Sequence, residues 1–181
     1  MASWSRIARR IRVPLGFAVA AAYIFLCRPT KTSILIGAVF AIAGLTLRAL
    51  ASGHVKKNEE LTISGPYAYT RNPLYFGSLV LAIGFVVAAR SWWIAVILLA
   101  MFFVVYLPVI RAEEAFLDAR FPNFQEYRRN VPRLFPRVRP YVSSANSFSW
   151  HLYWKHREYN ALLGTILMLA VLVTKLLWTM R

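Results

Sequence analysis

Trp92-Trp93-Ile94-Ala95-Val96-Ile97-Leu98-Leu99-Ala100-Met101-Phe102-Phe103-Val104-Val105-Tyr106-Leu107-Pro108-Val109-Ile110 contains not one charged side chain. The run is continuously apolar and does not alternate, so it predicts a helix crossing about 30 Å of hydrocarbon and argues against a barrel strand. Four more apolar runs accompany it: Val13 to Cys27, Ser33 to Ala51, Leu74 to Ala89 and Ala161 to Trp178. The first and third are short and must borrow flanking residues or thin the bilayer, so the count of spans is about five, or four. The expected fold is all-α: a polytopic membrane protein with about five transmembrane helices.

Composition agrees. The chain has 181 residues, 59% of them hydrophobic and only 16% charged, with a mean hydropathy of +0.50. Soluble domains carry about a quarter charged residues. Residues 1–181 are expected to form a single membrane-embedded domain. Cys27 is the sole cysteine, so no internal disulfide and no thiolate-rich metal site can form. The net charge of +15 does not indicate nucleic acid, because most basic residues flank apolar runs, where charge bias records orientation.

Arg6, Arg9, Arg10 and Arg12 precede the first run like the start of a signal peptide. Phe25-Leu26-Cys27 offers no small-residue cleavage site, and Arg28-Pro29-Thr30-Lys31 leads straight into the next run, so a retained helix is expected. With the N-terminus inside, 16 of the 22 Lys and Arg fall on the cytoplasmic side and 4 on the other, with Arg48 and Lys175 inside spans. That asymmetry puts the N-terminus and both polar segments in the cytoplasm, with a bacterial inner membrane as the expected location. Lys175 can snorkel from near a helix end, whereas Arg48 lies deeper and needs a partner or a watery cavity, unless it too snorkels.

The first polar segment is Ser64-Gly65-Pro66-Tyr67-Ala68-Tyr69-Thr70-Arg71-Asn72-Pro73-Leu74-Tyr75-Phe76-Gly77. Gly65-Pro66 predicts a turn, and Asn72-Pro73 predicts a helix start with Asn72 as N-cap and Pro73 at the first helical position. Free N–H groups beside Arg71 then favour an anion such as a carboxylate or phosphate; a plain interfacial helix start with aromatic anchors is the other reading. The second segment begins at Arg111-Ala112-Glu113-Glu114. Adjacent carboxylates project about 100° apart on a helix, so one is expected to face a site and the other to meet an arginine, unless both are solvated. Pro108 removes a helix hydrogen bond one turn earlier and should bend this end of the span. Phe121 to Pro136, aromatic, basic and proline-punctuated, predicts a short helix followed by extended chain, able to lie over the rest as a lid or to meet anionic headgroups.

In this order, Gly65-Pro66-Tyr67, Arg71-Asn72-Pro73-Leu74-Tyr75, Glu113-Glu114, Phe121 to Tyr127 and Val131-Pro132-Arg133-Leu134-Phe135-Pro136 resemble the isoprenylcysteine carboxyl methyltransferase and phospholipid methyltransferase superfamily of membrane enzymes. The resemblance covers roughly residues 44–139, leaving 140–181 as an interfacial helix plus a last span. It implies S-adenosyl-L-methionine as methyl donor in a cytoplasmic cofactor-binding region, and a lipophilic small-molecule or lipid acceptor entering from the bilayer. Carried over position by position, Tyr67, Arg71, Pro73, Tyr75, Glu113 and Glu114 fall on cofactor or substrate positions, with Arg71 and Glu114 as the catalytic candidates. Asn72 joins the cofactor set where the family usually has histidine. The donor's carboxylate suits Arg71 and the helix start, its ammonium suits a glutamate, and its sulfonium suits aromatic faces.

Asparagine cannot exchange a proton near neutral pH, so no general base is expected at position 72; Glu114 and His54 are the candidates if one is needed. Arg48, Tyr127, Arg157 and Tyr159 are the candidate acceptor-binding residues, because the polar run Arg157-Glu158-Tyr159-Asn160 directly precedes the last span. Interface anchoring is the alternative reading of that run. Two other functions stay open: an NADPH-dependent, sterol-reductase-like membrane enzyme, which the Glu113-Glu114 pair and the small size disfavour, and a non-enzymatic membrane interaction or transport protein.

Overall fold

A computed structural model describes residues 2–56, 59–143 and 147–180, without the side chains of residues 2, 3, 5, 9 and 12. Arg9, Arg12, Lys57 and Arg181, which enter the charge asymmetry, therefore lie outside the described side chains. The described helices are α1 (Ala2–Leu26), α2 (Lys31–His54), α3 (Pro73–Ala89), α4 (Trp92–Met101), α5 (Leu107–Arg120), α6 (Phe124–Asn130), α7 (Trp150–Lys155) and α8 (Tyr159–Thr179). A 3₁₀ turn occupies Gly65–Ala68, and a π-turn at Phe102–Tyr106 joins α4 to α5. No strand occurs among the described residues.

The protein is an all-α, polytopic membrane protein. Among the described residues three helices are long and apolar enough to cross a membrane: Lys31–His54, Trp92–Arg120 and Tyr159–Thr179, of 24, 29 and 21 residues. At 1.5 Å per residue even the shortest spans about 32 Å. The two runs expected to be short are short. The apolar part of α1 is only Val13–Leu26, the second half of a helix that begins in the arginine-rich segment, and α3 has 17 residues, about 26 Å.

Pro108 leaves its mark as the π-turn immediately before it. The proline has no N–H for the Val104 carbonyl four residues back, and the Trp4 indole N–H donates to that oxygen at 3.1 Å. α1 thus satisfies a polar group that apolar surroundings would penalise.

The chain divides into two compact units: residues 1–40, 82–116 and 166–181, and residues 41–81 and 117–165. In the first, Tyr23, Cys27, Ala88, Ala89, Ile94 and Leu172 form a buried cluster from the ends of α1, α3 and α8 and the start of α4. The Tyr23 hydroxyl donates to the Phe85 carbonyl at 2.8 Å, and Lys175 Nζ donates to the Ile24 carbonyl at 2.6 Å. Lys175 therefore caps the last turn of α1, where a cation meets unpaired carbonyls and the negative dipole end.

In the second unit α2 and α3 approach to backbone contact. A Cβ on Gly44 would stand 2.7 Å from the Gly77 carbonyl oxygen and 2.7 Å from the Leu81 nitrogen. Small residues permit such approach between membrane helices, where dispersion and not water exclusion drives packing. Gly44→Leu is expected to destabilise the protein by at least about 1–3 kcal/mol through overpacking. Gly16→Leu on α1 is the control, because nothing lies within 4 Å of its Cβ position. Thermal unfolding in detergent checks this; equal melting temperatures for the two variants would contradict the close contact.

Candidate functional site

The second unit gathers the first polar segment and the stretch after α6. α3 begins where Asn72-Pro73 predicts: the Asn72 carbonyl accepts from Tyr75 N at 3.1 Å and Phe76 N at 3.0 Å, with Pro73 first in the helix. Gly65 opens the preceding turn at φ +57°, a left-handed conformation that favours glycine, and a Cβ there would meet the His54 ring at 2.5 Å. His54 Nδ1 lies 2.7 Å from the Leu50 carbonyl. A carbonyl only accepts, so Nδ1 carries the proton and the neutral ring keeps its lone pair on Nε2.

Three consecutive residues, Thr70, Arg71 and Asn72, hold the backbone beyond α6. Arg71 N donates to the Pro132 carbonyl at 2.9 Å, and Asn72 Nδ2 donates to the Arg133 carbonyl at 2.9 Å. The Thr70 hydroxyl points at the Leu134 carbonyl at 3.0 Å. Arg71 Nη1 donates to the carbonyls of Arg128 at 2.8 Å and Val131 at 2.6 Å, so the guanidinium caps the C-terminus of α6. Further along, Arg137 N donates to the Tyr69 carbonyl and Tyr141 N to the Ala68 carbonyl, both at 2.9 Å. The extended stretch expected after the short helix is present and lies against residues 68–72.

Tyr127, 3% exposed, donates its hydroxyl to the Tyr67 carbonyl at 2.8 Å and packs with Phe124 and Val131. Burial first, and then the Glu126 carboxylate, raise the pKa of Tyr141, whose hydroxyl donates to Glu126 at 3.2 Å, so it stays protonated in the physiological range. Ser64, 2% exposed and directly before the turn, has the one buried side-chain oxygen without a hydrogen-bond partner among the described residues.

Glu113 and Glu114 belong to the first unit, on α5. Their environments diverge as their angular separation predicts: Glu114 is 5% exposed and Glu113 half-buried. Tyr75 and Arg71 are half-buried, while Tyr67, Asn72 and Pro73 are buried.

Arg48 has the partner its depth demands. Its Nε donates to Glu158 Oε1 at 2.6 Å, and its Nη1 donates to the Ser78 hydroxyl. Glu158 did not stand out in the sequence, where only the polarity of its run signals it. Arg157 sits at φ +54° in the corner between α7 and α8 and is exposed, and the Tyr159 ring meets Trp154 at 5.2 Å. The corner is fastened to the end of α2: Ser149 N donates to the Gly53 carbonyl at 2.9 Å, His156 Nδ1 lies 3.0 Å from the Ser52 carbonyl, and Lys155 pairs with Glu59 at 3.3 Å.

Residues 31–123 match the phospholipid methyltransferase family. Two relatives carry metal-resistance names. The cobalt-zinc-cadmium resistance protein CzcN of Cupriavidus metallidurans is 40% identical over 86 residues, 48% of this chain and 40% of the relative. The nickel-cobalt-cadmium resistance protein NccN of Alcaligenes xylosoxydans xylosoxydans is 37% identical over 105 residues, 58% of this chain and 48% of the relative. The matches thus span less than half the length of either relative. No solved structure matches the chain at a significant level.

Proposed function

Since the chain belongs to the phospholipid methyltransferase family, we propose that it is an integral membrane enzyme moving a methyl group from S-adenosylmethionine to a lipophilic acceptor reached from the bilayer. The observation that carries this reading is the interlocking of Thr70-Arg71-Asn72 with residues 128–134, two motif segments about sixty positions apart.

The donor set fits the cofactor's chemistry. Arg71 and the first turn of α3 suit its carboxylate, and Glu113 or Glu114 suits its ammonium, Glu114 as an almost fully buried carboxylate. Tyr67 and Tyr75 supply aromatic faces for a cation. The orphaned Ser64 hydroxyl is a further hydrogen-bonding group, and leaving it unpaired costs about 1–3 kcal/mol. When bound, S-adenosylmethionine supplies a methyl group already activated on a sulfonium. The residues then serve to align and to exclude water. Asn72 moves no proton; where the acceptor needs a base, His54 Nε2 and the Glu114 carboxylate are the groups able to take one.

Incubating purified protein with donor labelled on the transferred methyl and a membrane lipid extract tests the reading. Label in the organic phase is expected, and its absence with all lipid classes would remove the lipophilic acceptor. The relatives' names favour a second reading, a non-enzymatic component of metal resistance. Among the described residues no three His, Cys, Asp or Glu side chains group to hold a metal.

The proposed orientation places the N-terminus, residues 65–73 and residues 111–160 in the cytoplasm. Cys27 is 1% exposed, so single cysteines can be read against a quiet background. Ser143→Cys, at an exposed position, should resist membrane-impermeant thiol reagents in intact cells, and exposed Lys31→Cys should react. The reverse pattern would overturn the orientation and with it access to a cytosolic donor.

A further inference from the structure

The second unit contains a cleft of about 180 Å³ lined by Leu45, Thr46 and Ala49 of α2, Tyr153 of α7, Glu158, and Leu162 of α8. Half of its lining, Tyr153, Glu158 and Leu162, lies beyond residues 31–123, in the part of the chain that the family match does not reach. Its walls are chiefly aliphatic and aromatic, and its charged feature is the Glu158 carboxylate, 9% exposed. One oxygen, Oε1, takes the Arg48 N–H, while Oε2 has no hydrogen bond among the described residues. The Thr46 hydroxyl donates to its own helix, at the Ile42 carbonyl.

Charge decides what the cleft suits. The Arg48–Glu158 pair is neutral as a unit, and in low dielectric a second cation beside Arg48 or a second anion beside Glu158 would meet repulsion that water cannot screen. A neutral hydrogen-bond donor gains an ionised acceptor without that penalty, a bond stronger than one between neutral groups. The volume corresponds to about six water-sized groups. That accommodates a head and its first few methylenes, and Leu162, 42% exposed, continues the apolar wall outward along α8. We infer that this cleft binds the head of a neutral, hydroxyl-bearing amphiphile, with Glu158 Oε2 accepting from the hydroxyl and the alkyl chain running out along α8 into the bilayer.

The inference concerns binding and does not require the methyl donor, so its failure leaves the proposed reaction standing, and the converse. The experiment is equilibrium binding of radiolabelled hexadecanol to full-length protein in detergent micelles, with hexadecyl methyl ether, hexadecylammonium and palmitate as competitors. Saturable binding is expected, with each competitor weaker than unlabelled hexadecanol by about tenfold or more, because each lacks the hydroxyl donor or carries charge. Ala49→Leu, which fills the cleft while Arg48 and Glu158 are both retained, should abolish the saturable component while the protein still elutes as a monodisperse species. Equal competition by all four compounds, stronger competition by the ammonium or the carboxylate, or unchanged hexadecanol binding in Ala49→Leu would each overturn the proposal. If Ala49→Leu does not fold, the competition series on the wild-type protein decides alone.

Discussion

Glu158→Ala is expected to lower stability by about 1.5–3 kcal/mol, because it leaves the part-buried Arg48 guanidinium without its counter-ion. Arg48 sits six residues, nearly two turns, before the end of α2 with its side chain 23% exposed, and Glu158 supplies the one carboxylate paired with it among the described residues. The Ser78 hydroxyl that also meets Arg48 is neutral and cannot replace the charge. The same pair joins α2 to the α7–α8 corner, so its loss removes a polar tie between segments 110 residues apart in sequence. Combining Arg48→Met with Glu158→Leu should recover much of the loss, since apolar side chains of similar volume often replace buried ion pairs without penalty. Unfolding in mixed micelles measures both. Glu158→Ala as stable as the wild type would mean that Arg48 is fully served by its surroundings without the carboxylate.

Arg71→Ala carries the second large effect and acts at two levels. Its guanidinium donates to the carbonyls of Arg128 and Val131, and each hydrogen bond to a charged group is worth about 1.5–3 kcal/mol, nearer the lower figure for a half-buried side chain. The main-chain bond from Arg71 N to Pro132 survives the substitution, so the 131–134 stretch should loosen without detaching. If Arg71 also meets the donor's carboxylate, affinity for S-adenosylmethionine should fall about 10- to 150-fold, the same energy expressed as a binding ratio. Arg71→Lys separates the two roles. A point charge preserves attraction to a carboxylate but cannot reproduce the planar fork that reaches two carbonyls. Lysine should therefore recover donor affinity more than stability. Arg71→Ala with wild-type melting and wild-type donor affinity would exclude both roles.

The membrane class was legible in the sequence because continuous apolar runs are local signals, and so were the start of α3 at Asn72-Pro73 and the disturbance at Pro108. The contacts that organise the second unit were not, because they join positions with no shared pattern. Arg48 advertised its need for a partner through its depth, yet nothing nearby pointed to Glu158. Gly44 and Gly77 look ordinary in apolar runs, and only the crossing of α2 and α3 reveals why a side chain fails there. Position 72 carries a similar lesson. As an N-cap alone it would accept aspartate, but the Nδ2–H bond to the Arg133 carbonyl requires a donor that aspartate lacks, so Asn72→Asp should lose stability as well as donor affinity. The separation of Glu113 from Glu114 followed from helix geometry, whereas their depth of burial depended on packing.

Equilibrium binding of S-adenosylmethionine and NADPH to the detergent-solubilised full-length protein tests the central claim most directly. Saturable binding of S-adenosylmethionine and none of NADPH is the expected result. Binding of NADPH alone, or of neither compound, would contradict a methyltransferase.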